Sequence, residues 1–199
     1  QRLLPKTIPG YEISSEGFWR HSVAVASFAD NLGRALGIAT PEVVFTAGLM
    51  HDIGKLVLGE FLALHAVPVL EKLRSEGKSL AGIEREVLGI DHTEVGADVA
   101  AQWKLPDHVV AVIRWHHNPD KVPDGVPREC VDLTHVADAM AHSFGYGADI
   151  GELHRALDLK TYERLKLGPS VVEKVVAGSF ADIEGLTALV GSGDRGGTP

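Results

Sequence analysis

Between Val43 and Phe61 the chain reads VVFTAGLMHDIGKLVLGEF. A run this apolar demands burial, yet His51, Asp52 and Lys55 stand in its middle. Each polar group taken out of water without a partner costs roughly 2–7 kcal/mol. The fold must therefore expose a helix end at LMHDIGK or bring other polar groups to meet it. That choice constrains everything around the run.

The flanking pattern is helical almost throughout. Ser14 or Ser15 caps a helix that runs to about Leu36, with Gly37 as its stop and Phe18, His21, Val25, Phe28, Leu32 and Leu36 on one stripe. Thr40 and Pro41 open the helix that carries the quoted run. Leu62 to about Glu76 is helical with an interruption at Pro68, and Ser79 opens a short helix ending near Gly89. Asp91 and Glu94 have capping-box spacing, which puts His92 in a first turn, with Val95, Val99 and Trp103 as the apolar face. Pro106 starts a helix on which Val109, Ile113, His116 and His117 share a side, and Pro119 ends it. Another helix spans Arg128 to Phe144, with Leu133, Val136, Ala137, Met140 and Phe144 inward, and residues 150 to 187 hold one or two more. Alternating strand patterns are nearly absent, so the expected fold class is an all-α bundle.

The net charge of −8 and the lack of a Lys/Arg cluster argue against broad nucleic-acid or anionic-membrane binding. No apolar run reaches the roughly 18 residues of a membrane span, and the start shows no signal-peptide pattern. The single cysteine, Cys130, allows no internal disulfide, which suits a reducing cytoplasm. The expected organisation is one helical domain over 1–190 followed by a Gly-rich flexible tail at 191–199. Because the chain begins at Gln1, it is read as a piece of something longer or as a processed chain.

Seven polar residues lie on or beside apolar stripes: His21, His51, Asp52, His92, His116, His117 and Asp138. Histidine and carboxylate without cysteine suit a divalent ion such as Mn, Fe or Zn. Adjacent helical residues point about 100° apart, so His51 and Asp52 reach one ion only at a helix end or in a distorted turn, which Gly54 would fit. Lys55, on the side of His51, could hold a phosphate oxygen. Each residue also has a plainer role: His21 as a core histidine, His116 and His117 as a solvated helix end, His92 as an exposed first-turn residue, and Lys55 as a surface lysine lying along apolar surface. Asp138, in VADAMA, is harder to explain that way. His65, His108, His135, His142 and His154 carry no role in this reading. The combination, and no single member, points to a metal.

The order H…HDxGK…H…HH…D resembles the HD superfamily of metal-dependent phosphohydrolases. The stretches FWRHSVAVA, LMHDIGKLVL, HTEVGADVAAQWKLPDHVVAVIRWHHNP and THVADAMAHSFGYG are similar to the HDOD group, the HD-related output domains of bacterial signalling proteins, over roughly residues 1 to 145. The resemblance implies an HD-superfamily helical bundle and a role in signal transduction. It further implies an N-terminal helical half, ahead of LLPKTIPGY, that this chain does not contain. HDOD domains as a group have commonly lost the metal ligands, whereas here every such position is filled, as in the HD-GYP phosphodiesterases. The DGxGYP segment of that group is replaced by NPDKVPDG, so cyclic di-GMP is not singled out as the substrate.

By this resemblance His21, His51, Asp52 and Asp138 would hold one ion, and Asp52, His92, His116 and His117 a second, with Asp52 bridging. The ions expected are Fe, Mn or Zn, with Mg or Ni as alternatives. Asp52 and Lys55 are the expected catalytic residues, and water activated by the ions would attack a phosphoester of a nucleotide or cyclic dinucleotide. The expected partners are a phosphorylated small molecule or nucleotide and regulatory protein domains. The alternative function is a non-catalytic signalling module whose metal is structural or regulatory.

Overall fold

The computed structural model describes residues 6–38, 41–65, 67, 69, 71–73, 77–126, 128–147 and 158–191. Among these the regular structure is helical apart from two two-residue strands, β1 (Thr7–Ile8) and β2 (Ile13–Ser14), paired antiparallel with Ile8 opposite Ile13. Helix α1 (Ser15–Leu36) is the spine. Ser14 Oγ accepts the Gly17 N–H at its start, and Gly37 closes it in the left-handed region at φ 69°, a conformation that glycine adopts without a Cβ penalty. Around it pack α2 (Pro41–Met50), α7 (Arg128–Ser143) and α9 (Pro169–Gly191). The remaining helices are α3 (Gly54–Ala63), α4 (Leu80–Leu88), α5 (His92–Gln102), α6 (Asp107–Trp115) and α8 (Leu159–Leu165).

The larger core joins α1, α2, α5, α6, α7 and α9 through Phe28, Leu32, Val112, Ile113, Leu133 and Ile183. A smaller one gathers Ile8, Tyr11, Ile13 and Phe18 against Leu62 and Ile83. The polar cluster described below lies where α1, α2, α3, α5, α6 and α7 converge.

Three expectations change. The apolar run is not one helix: α2 ends at Met50, residues 51–53 form a turn, and α3 starts at Gly54. Gly54 itself is helical, and its need is space: a Cβ there would stand 1.9 Å from the carbonyl oxygen of His92. The facing Gly96 is equally confined, its Cβ position 2.9 Å from Ile113 and 3.0 Å from the Gly54 nitrogen. This close approach turns α5 so that Gly96, Ala97 and Ala100 are buried, whereas Trp103 is 60% exposed. Hydrophobic periodicity had put Val95, Val99 and Trp103 inward. Finally, Phe144 is 42% exposed although its ring stacks on Phe28. The expected interruption at Pro68, the Thr40 cap and the tail at 192–199 lie outside the described residues. No described helix is long and apolar enough to cross a membrane.

Candidate metal centre

Each element delivers its polar group through a local device. Helix α1 buries His21 on its apolar stripe. The turn between α2 and α3 carries His51 and Asp52, both essentially without solvent contact. The capping box of Asp91 and Glu94 sets the start of α5 and so places His92 at its first position. His116 is the residue that closes α6, followed by His117, and Asp138 projects from the middle of α7.

All seven residues named from the sequence meet, and Asp52 is their centre. Its Oδ2 faces His51 Nε2 at 3.4 Å and His21 Nε2 at 3.9 Å. Its Oδ1 faces His92 Nε2 at 3.4 Å and His116 Nε2 at 3.6 Å. The carboxylate thus turns one oxygen to each of two imidazole groups. His117 Nε2 stands 3.1 Å from His92 Nε2 on the Oδ1 side, and His21 Nε2 stands 3.3 Å from His51 Nε2 on the other. Asp138 Oδ1 closes the Oδ2 side, 3.3 Å from His21 Nε2 and 3.9 Å from His51 Nε2.

The second nitrogen of each ring decides what the first can do. His51 Nδ1 lies 2.7 Å from the Gly48 carbonyl, and His116 Nδ1 lies 3.0 Å from that of Ile113. A carbonyl only accepts, so these Nδ1 atoms carry protons, and each ring turns its Nε2 inward. His92 Nδ1 makes a 2.6 Å contact with Glu84 Oε2, so it donates there and likewise turns Nε2 inward. Ring Nε2 atoms and carboxylate oxygens therefore converge. His116 Nε2 and Asp52 Oδ1 are buried and make no hydrogen bond among the described residues. Such a set fits a cation and little else.

The electrostatics agree for His21 and His116. Burial pushes His21 and His116 down to about 4, so both are neutral at pH 7 and available as ligands. Burial, the largest single effect, would raise the Asp52 carboxyl, but the Lys55 ammonium together with His51 and His116 outweighs it and holds the group well below its usual range. His92 is the opposite case: burial would lower it, and the facing Glu84 carboxylate raises it instead.

Lys55 is not a surface lysine. It is 1% exposed, its Nζ 2.6 Å from Asp52 Oδ2 and 5.7 Å from the centroid of the Tyr11 ring. Two participants escaped the sequence reading. Glu84 is fully buried and accepts from the Tyr11 hydroxyl at 2.7 Å and the His92 backbone N–H at 2.9 Å, besides the His92 ring. In IEREVL it looks like an ordinary solvated helix charge, and no local signal marks it. His142 lies beside Asp138, with its Nε2 3.5 Å from Asp138 Oδ1, and the i,i+4 spacing from Asp138 was the available signal. His135 has a structural role: its Nδ1 donates to the His116 carbonyl at 2.7 Å, and its Nε2 accepts the Asp158 N–H at 3.1 Å.

The chain matches the family model described as HDOD domain over residues 1–119. It is similar in structure to an HDOD domain protein of unknown function from Geobacter sulfurreducens, with a TM-score of 0.63 and 26% identity over 90% of this chain and 59% of that one. A candidate phosphohydrolase from Shewanella amazonensis shares the fold, with a TM-score of 0.65 and 23% identity over 84% of this chain and 62% of that one. In sequence it is 29% identical over 108 residues to ribonuclease Y of Aquifex aeolicus, an overlap of 54% of this chain and 14% of that protein.

Proposed function

The chain belongs to the HDOD family, and on that premise we propose that it is a bacterial signal-transduction domain with a working hydrolytic centre. In this reading the centre would hold two divalent ions, with Asp52 among the residues of both, and would cleave a phosphoester of a nucleotide or cyclic dinucleotide. The observation that carries the reading is the Asp52 carboxylate, which gives one oxygen to each of two histidine groups. His21, His51, Asp52 and Asp138 would hold one ion, and Asp52, His92, His116 and His117 the other. Fe, Mn or Zn there would supply Lewis acidity and lower the pKa of water.

The protein's own groups do the rest. The Gly48 and Ile113 carbonyls fix the His51 and His116 tautomers, and Glu84 fixes that of His92. Lys55 offers a buried cation beside Asp52, placed to stabilise charge on phosphoryl oxygens. The net charge of −8 favours a small phosphorylated substrate over a long polyanion, although one relative is named a ribonuclease.

One observation favours a second reading, a non-catalytic signalling module with a structural or regulatory metal. Phe61, Leu64 and Val67, along and just beyond α3, are 59%, 80% and 66% exposed, an apolar edge suited to a regulatory protein domain. Elemental analysis of the purified protein beside an Asp52→Asn variant, with hydrolysis assays on nucleotides and cyclic dinucleotides, separates the two. About two equivalents of metal with turnover, both lost in the variant, are expected. Bound metal without turnover on any phosphoester would favour the module, and turnover by metal-free protein would overturn the hydrolytic reading.

A further inference from the structure

The ligand-forming groups run on past the seven residues picked out by the sequence. Three sets have ligand atoms within 4.8 Å of one another: Asp52, His92, His116 and His117; then His21, His51 and Asp52; then His21, Asp138 and His142. The sets form a chain, with Asp52 joining the first to the second and His21 joining the second to the third. We propose that His142 is a metal ligand, binding at the outer end of this chain with His21 and Asp138. The proposal rests on the metal-centre reading above and extends it to a residue outside the expected ligand set.

Position and spacing support it. Asp138 and His142 are one helical turn apart on α7 and so share a face. His142 Nε2 and His21 Nε2 lie 3.5 Å and 3.3 Å from the same Asp138 Oδ1. Two ligand atoms each about 2.0–2.2 Å from a common ion stand roughly 2.8–3.6 Å apart at octahedral or tetrahedral angles, so these separations are those of neighbours in one coordination shell. The His142 and His21 rings are 4.8 Å apart, close enough for both to turn a nitrogen to the same point. The His142 side chain is 11% exposed, whereas that of His51 has no exposure, which puts His142 at the rim of the cluster. A ligand there strengthens the hold on the ion beside His21 and narrows the approach to it from solvent.

The rival role is a hydrogen bond that merely steadies Asp138, and glutamine can mimic that. The test is the metal affinity of the wild type, His142→Ala and His142→Gln, measured by competition with a chromophoric chelator, with circular dichroism as the check on folding. The absorption spectrum of the cobalt-substituted proteins gives an independent readout of the ligand set. Both variants should bind metal at least tenfold more weakly, with a changed cobalt spectrum, and free imidazole should restore the alanine variant. Glutamine binding metal as tightly as the wild type, with the same spectrum, would overturn the proposal. Asp52→Asn separates the two levels: if it loses metal while both His142 variants keep it, the centre stands and the role of His142 falls. If the wild type takes up no metal at all, both fall together.

Discussion

Two regions of the molecule pack charged and polar side chains densely, and they are built on opposite principles. Around Arg164 donors and acceptors alternate. Its Nε and Nη2 reach the two Asp132 oxygens at 2.9 and 2.8 Å, its Nη1 reaches Asp120 at 2.7 Å, and Lys160 reaches the other Asp120 oxygen at 2.8 Å. Every anion there has met its cation within the chain. Around Asp52 imidazole rings and carboxylate oxygens face one another, and among the described residues Lys55 is the lysine or arginine that an ion pair places on Asp52. The first arrangement is complete as it folds. The second gathers acceptors that a cation from outside would satisfy, and this imbalance, more than the presence of histidines, makes it a candidate metal site.

The largest expected break in this contrast comes from Gly54→Ala. Its Cβ would collide with the His92 carbonyl and push α5 from α3, at a cost of about 3 kcal/mol. Urea unfolding should show that loss, and a midpoint unchanged from wild type would mean that the close approach is not required. Arg164→Ala attacks the other region. It strands the buried Asp132 carboxylate and should cost about 2 kcal/mol. Metal binding should survive it, since the clamp acts on folding alone, and a parallel loss of metal affinity would erase the distinction between the regions.

Glu84→Gln sharpens the contrast from inside the centre. The amide cannot accept from the His92 ring as a carboxylate does, so metal affinity should fall about tenfold with little change in fold. Isothermal titration with Mn or Zn measures this, and an unaltered affinity would leave Glu84 a purely structural residue. The smallest effect belongs to Asp120, an exposed carboxyl that Lys160 and Arg164 hold down at about 2. A carboxyl depressed on folding contributes stability above its unfolded value of about 3.9 and loses it as pH falls through the folded value. Asp120→Asn should therefore be slightly less stable than wild type at pH 7 and equal to it below pH 2, as read from urea midpoints.

What could be read from the sequence divides along the same physical line. Helix ends set by local chemistry were legible: Ser14 and Gly37 bound α1, Ser79 and Gly89 bound α4, and Asp91 with Glu94 starts α5. The seven polar residues were legible as a set because histidines and aspartates on apolar stripes are costly unless they meet, and the fold brings them together. Features set by contact between distant backbones were not legible. The face of α5 depends on Gly54 lying against Gly96, and small residues give no signal to a reading based on apolar period. The role of Glu84 depends on Tyr11, 73 positions away. His142, by contrast, could have been found from its spacing to Asp138.

The contact of Gly54 with Gly96 has a consequence for how such a chain can drift over generations. Distances between binding groups in most proteins are kept by interlocking side chains, so neighbouring substitutions must compensate one another. Here the span from the Asp52 turn to the start of α5 is kept by main chain lying on main chain. Such a ruler has few parts that mutation can alter. Apart from Ile113 against Gly96, the two glycines rather than fitted side chains hold the scale.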